Sequence, residues 1–293
     1  MRANGVLEHP AGLGRTDHVC WIYANEREFA AAARRFLADG AEQGHRLLAV
    51  GSPAVSAVLE DRAPLVGVHG LLARGALELM TVGDAYGATA GLVPEQQLDF
   101  YQQATRRAVA AGYPGLRVVA ELTALAAHPE WLTALMRWEH LADDFMAGGS
   151  GMSALCAYRR SRLADEIVGT VAAVHPLVHP DNGPPPFRLF FDSSGALVLA
   201  GTVDSFVADR LARVLSTTHL QSGEVRLDVS RLEFIDTRGC WVLAAWGRRL
   251  GEDEARLVLT GASRIFRRVW QVLGFDALPN VTVEPDDIAT DPS

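Results

Sequence analysis

Residues 225–239 read VRLDVSRLEFIDTRG and decide the fold of the carboxyl-terminal half of the chain. Apolar and polar residues alternate from position 225 to 230, and this period of two predicts a half-buried strand. From position 240 to 250 the apolar residues recur at helical spacing instead. Thr237 therefore lies where a strand gives way to a helix, beside the carboxylate of Asp236 and among unpaired backbone N–H groups.

Two interpretations of this junction are open. Asp236 and Thr237 are both residue types that cap helices, and the local sequence by itself favours a cap. The amino-terminal end of a helix also favours negative charge, so a phosphate on Thr237 would be tolerated there. Such a phosphate would change the charge of the surrounding surface and therefore the binding of any protein docked on it.

The composition is that of a globular protein with one large domain or two ordinary ones. The 293 residues are 49% hydrophobic and 21% charged, and no apolar run reaches the length of a membrane span. The amino terminus lacks the apolar core of a signal peptide. A formal net charge of −8 opposes binding to nucleic acid or anionic lipid, so we expect no direct DNA binding and no membrane partner.

The cysteines indicate the compartment. Cys20, Cys156 and Cys240 are widely spaced, and none has a partner at CxxC spacing. Such usage is typical of a reducing environment, so we expect the protein to be cytoplasmic.

The amino-terminal half alternates strands with helices, which predicts an α/β domain with a largely parallel sheet covered on both faces. The predicted strands are residues 18–23, 46–50, 77–82, 116–122 and 153–158. The predicted helices are residues 26–39, 53–59, 94–111, 129–146 and 163–174. Residues 1–15 have no such pattern and are expected to be a loose lead-in.

The segment HPDNGPPP at residues 179–186 marks a domain boundary, because three consecutive prolines cannot continue a helix or pair in a central strand. We therefore predict a first domain over residues 16–180, a stiff linker over 181–186 and a second domain over 187–284. The second domain has the predicted order β-β-α-β-α-β-α-β. The acidic residues 285–293 are expected to be frayed.

The sequence lacks the motifs that would indicate catalysis. It has no GxxxxGK[ST] phosphate loop, no GxGxxG after a strand, no GxSxG and no HExxH. His175 and His179 lie four apart, but a proline follows each of them, which disfavours their presentation to one metal. We therefore expect that the protein is not an enzyme, and we assign it no catalytic residue, no metal and no cofactor.

Two polar positions in apolar strands are candidates for ligand binding. His18 and Cys20 face the same side of a strand and could together bind a ligand. We favour the alternative that they are a buried histidine and an inert core cysteine. Glu121 ends an apolar strand at the edge where α/β sheets bind ligands. It is equally well interpreted as a structural acid that pairs with Arg117 or with a helix amino terminus.

Residues 187–284 resemble the STAS domain of bacterial anti-sigma-factor antagonists. The matching features are GTVD at 201–204, VRLDVSRLEFID at 225–236, LVLTGAS at 257–263 and VLGF at 272–275. In that family a kinase phosphorylates the serine or threonine after the FID aspartate, so the resemblance implies that Thr237 is the acceptor. Here Arg238 follows the acceptor, whereas many antagonists have serine followed by a small residue.

Residues 16–186 resemble the MEDS sensory domain of regulators in methanogens, methylotrophs and actinobacteria. The matching segments are DHVCWIY at 17–23, FLADGAEQGHRLLAVG at 36–51, GYPGLRVVAEL at 112–122, WEH at 138–140, ALCAY at 154–158 and HPLV at 175–178. The resemblance implies a RecA-like three-layer α/β core without a phosphate loop, which binds a small molecule. By motif position, the candidate ligand-binding residues are His18, Glu121, Tyr158 and His175. Tyr158 is otherwise a core residue with a satisfied hydroxyl.

The two resemblances together predict a two-domain signalling protein of a partner-switching circuit. The STAS domain would bind an anti-sigma factor that is a serine/threonine kinase through Asp204, Asp236, Arg238 and Gly239. Phosphate on Thr237 would expel this partner, and the first domain would bias the switch by binding a small molecule. The alternative is a ligand-binding sensor that is never phosphorylated, with the STAS domain as a scaffold for homo-oligomers or other interactions. A third option is a degenerate ATPase or other enzyme in the first domain.

Overall fold

The computed structural model describes residues 2–87, 91–180, 183–218 and 223–285. The chain divides into two compact units, Met1–Pro185 and Pro186–Ser293. Residues 181 and 182 of the predicted linker and residues 286–293 of the predicted frayed tail lie outside the described residues. Within the described ranges, no helix is both long and apolar enough to cross a membrane.

The first unit is built on a parallel sheet. Its strands are β1 (Gly5–Val6), β2 (His18–Tyr23), β3 (Arg46–Val50), β4 (Leu77–Met80), β5 (Leu116–Glu121), β6 (Met152–Arg159) and β7 (Leu177–His179). Across the described residues they form one seven-stranded sheet in the order β1-β7-β2-β6-β5-β3-β4, and every neighbouring pair is parallel. The predicted α/β class with a mainly parallel sheet is therefore confirmed.

Helices cover both faces of this sheet. They are α1 (Glu26–Glu42), α2 (Ser52–Leu59), α3 (Val68–Ala73), α4 (Val82–Tyr86), α5 (Pro94–Ala110), α6 (Thr123–Ala126), α7 (Leu132–Ala147) and α8 (Asp165–Ala173), with a 3-10 helix at Arg160–Arg162. On one face, Val19 and Trp21 of β2 pack with α1 and α2 in a continuous apolar core. On the other face, α7 lies over His18, because its Glu139 reaches the imidazole.

The amino-terminal residues belong to this unit, so the expectation of a loose lead-in is wrong. β1 pairs in parallel with β7, and the side chains of Arg2 and Leu13 are buried. A two-residue strand and a single buried arginine give no periodic signal, which explains why the sequence pattern misses them. The pattern also misses β7, because Pro176 and Pro180 flank its three residues.

The second unit combines a mixed sheet with helices. Its strands are β8 (Phe187–Phe191), β9 (Leu197–Val203), β10 (Glu224–Asp228), β11 (Leu232–Ile235), β12 (Arg256–Ala262) and β13 (Val281–Pro285). Its helices are α9 (Ala208–Thr217), α10 (Thr237–Glu252) and α11 (Arg264–Val272), with a 3-10 helix at Phe275–Ala277. β9 pairs antiparallel with β8 and parallel with β10 and β11, and β12 joins β10 to β13 in parallel.

The predicted order of elements is present in this unit, except that one predicted strand is divided into two. The stretch that opened the sequence analysis divides into β10 and β11, where the Asp228 carboxylate accepts a hydrogen bond from the Ser230 N–H at 2.8 Å. Helix α10 then packs closely on the sheet, since a Cβ at Gly247 would lie 2.5 Å from Cγ2 of Val281. This packing fixes Thr237, the first residue of α10, at the carboxyl end of β11.

Candidate functional sites

A group of polar side chains lies buried in the first unit between the sheet and α7. We call it the buried polar cluster, and it consists of His18, Glu139, Asp143, Cys156, Tyr158 and His175. The register pairs Cys20 of β2 with Cys156 of β6, so His18 and Cys156 project from the same face of the sheet. Glu139 and Asp143 lie four apart on α7 and therefore face the sheet together.

His18 lies between the two acids of α7. Its Nδ1 is 3.1 Å from Oδ1 of Asp143, and its Nε2 is 3.2 Å from Oε2 of Glu139. Arg2, from the segment before β1, places Nη2 2.7 Å from the same Oδ1 of Asp143. The side chains of His18, Glu139 and Asp143 have no exposed surface, so these charges interact without screening by solvent.

Three more side chains surround Glu139. The Tyr158 hydroxyl donates to Oε1 at 2.6 Å, which leaves Oε2 directed toward the rest of the cluster. Sγ of Cys156 is 3.5 Å from Oε2 and 3.5 Å from Nε2 of His18. His175 precedes β7 and places its Nε2 3.5 Å from Oε2, while its Nδ1 is 2.7 Å from the carbonyl oxygen of Val171.

The cluster keeps both acids ionised. Burial alone would raise the pKa of Glu139, but the adjacent His175 and His18 imidazoles lower it far below its ordinary value. Burial also opposes ionisation of Asp143, but Arg2 and His18 bring its pKa down to about 2. Burial raises the pKa of the Cys156 thiol and of the Tyr158 hydroxyl, and the nearby Glu139 carboxylate adds to both effects.

The two histidines differ in their electrostatic surroundings. Burial lowers the pKa of His18, but its hydrogen bonds to Asp143 and Glu139 outweigh that effect and leave the pKa raised. Burial lowers the pKa of His175, and the neighbouring charge of His18 lowers it further. Their ring centroids are only 4.1 Å apart, so the two imidazoles disfavour being charged together.

Glu121 lies on the opposite face of the sheet from the buried polar cluster. Its Oε1 accepts hydrogen bonds from the Tyr23 hydroxyl at 3.0 Å and from the Thr123 hydroxyl. Arg117 instead donates to the carbonyl oxygens of Phe36 and Leu13, at 2.9 and 3.1 Å, so of the two structural pairings left open for Glu121 the one with Arg117 is wrong. Burial raises the pKa of Glu121, although the bonds from Thr123 and Tyr23 oppose the rise.

The structure thus brings together His18, Tyr158 and His175 among the predicted ligand-binding residues, and separates them from Glu121. The sequence analysis did not single out Glu139, Asp143 or Cys156 as site residues. Two acids at helical spacing within a largely apolar stretch are the signal that would have indicated a buried site on α7.

At the start of α10, the residue that caps the helix is not Thr237. Oδ1 of Asp236 accepts a hydrogen bond from the Gly239 N–H at 2.8 Å, so Asp236 is the cap of this helix. Thr237 is exposed and is not used as the cap. Nη2 of the exposed Arg238 lies 2.8 and 2.9 Å from the two carboxylate oxygens of Asp209 on α9.

The remaining predicted partner-binding residues support the backbone of this region. Gly239 is buried, and a Cβ there would lie 2.6 Å from Cγ1 of Ile235 and 2.9 Å from Cγ1 of Val203. Oδ1 of Asp204 accepts a hydrogen bond at 3.0 Å from the N–H of Phe206 and so holds the turn that leads into α9. Gly239 and Asp204 therefore determine the backbone conformation around Thr237.

Large apolar side chains are exposed around Thr237. Phe206, Phe234 and Trp241 are 92%, 53% and 50% exposed, and they lie beside the adjacent ends of β9 and β11 and on the first turns of α10. One edge of the Trp241 ring packs against Phe275, with centroids 4.7 Å apart. Trp241 also lines a groove of about 780 Å³ between α9 and α10, which we call the α9–α10 groove.

Comparison with known proteins agrees with this architecture. Residues 17–176 match the model of the MEDS family, described as the methanogen/methylotroph, DcmR sensory domain. Residues 190–282 match the model of a STAS family, described as "Mlab, STAS domain". No curated protein matches the chain. The first match spans more than half of the sequence, so the chain belongs to the MEDS sensory-domain family and carries a STAS domain in its carboxyl-terminal part.

Proposed function

We propose that this signalling protein acts in the cytoplasm as an antagonist of an anti-sigma factor, and is not itself an enzyme. Its STAS domain binds an anti-sigma factor that is also a serine/threonine kinase, and phosphorylation of Thr237 expels this partner. The amino-terminal domain senses a small molecule and biases the switch. The observation that carries the proposal is that Asp236 caps α10 while Thr237 stands exposed beside it.

The surroundings of Thr237 suit a phosphate. The first turn of α10 presents the positive end of the helix dipole, which stabilises an anion. The Arg238 guanidinium adjoins the same turn and is available for exchange from its exposed pair with Asp209. The phosphate adds about −1.5 to −2 charges beside the Asp236 carboxylate. The domain therefore retains its fold while the charge of the surface changes.

The exposed aromatic residues supply the anchor for a partner. Aromatic side chains dominate the binding energy of protein interfaces, and Trp241 is already held in place by Phe275 on one edge. The α9–α10 groove beside it is lined by both arginine and aspartate side chains. A partner that buries Trp241 must also contact Thr237, which lies one helical turn earlier on the same face of α10.

We expect the kinase to phosphorylate Thr237. The full-length protein is incubated with ATP and the purified anti-sigma-factor kinases of its organism, and the site is located by peptide mass spectrometry. Thr237→Ala should lose at least about nine-tenths of the label because no equivalent acceptor adjoins the cap. Ser230→Ala, a change at an exposed serine between β10 and β11, is the matched control and should keep full labelling.

Full labelling of Thr237→Ala would rule out this acceptor. If no kinase labels the wild-type protein, and a small molecule nevertheless raises its melting temperature, the alternative of a sensor with a scaffolding STAS domain is favoured. The buried polar cluster is the observation on which that alternative rests.

Removal of the Trp241 side chain is expected to weaken the unmodified complex. Trp241→Ala should raise the Kd for the anti-sigma factor about 30-fold, which corresponds to a loss of about 2 kcal/mol for a central aromatic anchor. Ile265→Ala on α11 removes a side chain that is 78% exposed and does not line the α9–α10 groove, and it should change the Kd less than about twofold. Isothermal titration calorimetry measures the Kd of both variants and of the wild type. A Trp241→Ala Kd equal to that of the wild type would contradict the assigned docking surface.

A further inference from the structure

The inner side of the buried polar cluster collects electron-pair donors of four side chains. Nε2 of His18, Oε2 of Glu139, Sγ of Cys156 and Nε2 of His175 all lie within 4.8 Å of one another, and all four residues are buried. These are the donor types that hold transition metals in proteins. Neither the family descriptions nor the sequence motifs assign a metal to this domain.

The outer partners of the two histidines fix which nitrogen faces inward. The carbonyl oxygen of Val171 can only accept, so Nδ1 of His175 carries the proton at their 2.7 Å contact. Nδ1 of His18 faces the Asp143 carboxylate, which is also an acceptor, at 3.1 Å. In a neutral His175 the other nitrogen, Nε2, then bears a lone pair that faces the centre of the cluster. Nε2 of His18 faces Oε2 of Glu139 at 3.2 Å, and a metal ion would replace the proton of that hydrogen bond, because a histidine ligand binds through an unprotonated nitrogen.

The centre therefore contains an acceptor that lacks a donor. The Nε2 lone pair of His175 lies 3.5 Å from Oε2 of Glu139, which is itself an acceptor. Nε2 of His175 makes no hydrogen bond to any described residue, although it is fully buried and directed into this centre. A buried lone pair without a donor is costly, and a bound cation would satisfy all four atoms together.

Four of the six spacings among these atoms match those of a tetrahedral ion. Bond lengths to Zn²⁺ of about 2.0–2.3 Å place neighbouring ligand atoms of a tetrahedron about 3.3–3.6 Å apart. Oε2 of Glu139 is 3.2 Å from His18 Nε2, 3.5 Å from Cys156 Sγ and 3.5 Å from His175 Nε2. Sγ of Cys156 is 3.5 Å from His18 Nε2. These four edges require adjustments of only a few tenths of an ångström, and the remaining two, from Nε2 of His175 to Nε2 of His18 and to Sγ of Cys156, are no longer than 4.8 Å.

We propose that His18, Glu139, Cys156 and His175 bind a divalent transition-metal ion, and that Zn²⁺ is the ion that fits this donor set best. Asp143, the Val171 carbonyl and Tyr158 hold the ligands from outside, as hydrogen-bonded partners of metal ligands commonly do. The four donors occupy every position of a tetrahedron, so the ion is enclosed between β2, β6 and α7. The site does not depend on the proposed switch at Thr237, and the two proposals fail independently.

The test measures metal in the full-length protein after dialysis. Wild-type protein should carry about one Zn²⁺ per chain by inductively coupled plasma mass spectrometry. Cys156→Ser and His175→Gln should each lose more than about tenfold in metal occupancy at limiting zinc. Cys240→Ser, in the STAS domain, and His179→Gln, which stacks on Trp21 away from the cluster, are matched controls that should keep the metal.

A second measurement avoids variants that fail to fold. Wild-type protein stripped with chelator should take up Co²⁺ and develop the strong visible bands of a tetrahedral ion together with a thiolate-to-cobalt charge-transfer band. Cys156→Ser should lack the charge-transfer band. A folded wild-type protein that is metal-free and binds neither Zn²⁺ nor Co²⁺ would overturn the proposal, as would undiminished metal in both ligand variants.

Discussion

Replacement of Asp143 by alanine is expected to lower the free energy of unfolding of the amino-terminal domain by about 3–5 kcal/mol, the usual cost of breaking a buried ion pair. The carboxylate is fully buried and contacts Arg2 at 2.7 Å and His18 at 3.1 Å. Its removal takes from the Arg2 charge and the His18 Nδ1 group an acceptor that offsets the cost of their burial. The effect should therefore exceed that of an ordinary surface change several-fold.

The chain offers a matched control for this ion pair. Arg46 and Glu78 lie 3.2 Å apart on neighbouring strands of the same sheet, but their side chains are 23% and 48% exposed. Glu78→Ala should lower the free energy of unfolding by less than about 1 kcal/mol, because solvent screens an exposed pair.

Urea unfolding of the full chain, followed by hydrogen exchange of peptides from β2 and α7, measures the stability of this domain separately. Wild type and both variants are compared at the same zinc supply, since bound metal would add to stability. A change in Asp143→Ala no larger than that in Glu78→Ala would show that the buried pair does not stabilise the domain.

Phosphorylation of Thr237 is expected to weaken binding of the anti-sigma factor about a hundredfold, which corresponds to about 3 kcal/mol. Like charges placed against each other in an interface cost several kcal/mol, and the phosphate adds to the charge of Asp236. Asp236 accepts from the Gly239 N–H, so the cap stays in place and the change acts on binding rather than folding. The anchor at Trp241 remains, but the partner cannot reach it without burying the phosphate.

The fold follows from local pattern to a large extent. The strands at 18–23 and 46–50 are predicted to the residue, because each is a short apolar run bounded by polar or glycine residues. The resemblance to MEDS and STAS domains supplies the architecture, and the family matches confirm it. The missed elements are those that depend on partners far along the chain, such as β1, whose pairing requires β7.

Of the two candidate sites, the sequence alone also indicates only the one whose residues are close together in the chain. Thr237 is recognisable as a candidate because the strand, the threonine and the helix are consecutive in the sequence. The buried polar cluster is only half recognisable, since His18 and Glu139 are 121 positions apart and meet through the packing of α7 on the sheet. Periodicity places Glu139 on a helix, but it does not say which strand that helix covers. Only tertiary structure brings the donors together.

The central claim is that phosphate on Thr237 switches partner binding, and calorimetric titration of the anti-sigma factor tests it most directly. Unmodified protein and protein phosphorylated stoichiometrically at Thr237 are titrated at the same ionic strength. We predict tight binding by the unmodified protein and a Kd about a hundredfold higher for the phosphorylated form. Equal Kd values for the two forms, or no binding by the unmodified protein, would contradict the proposed function.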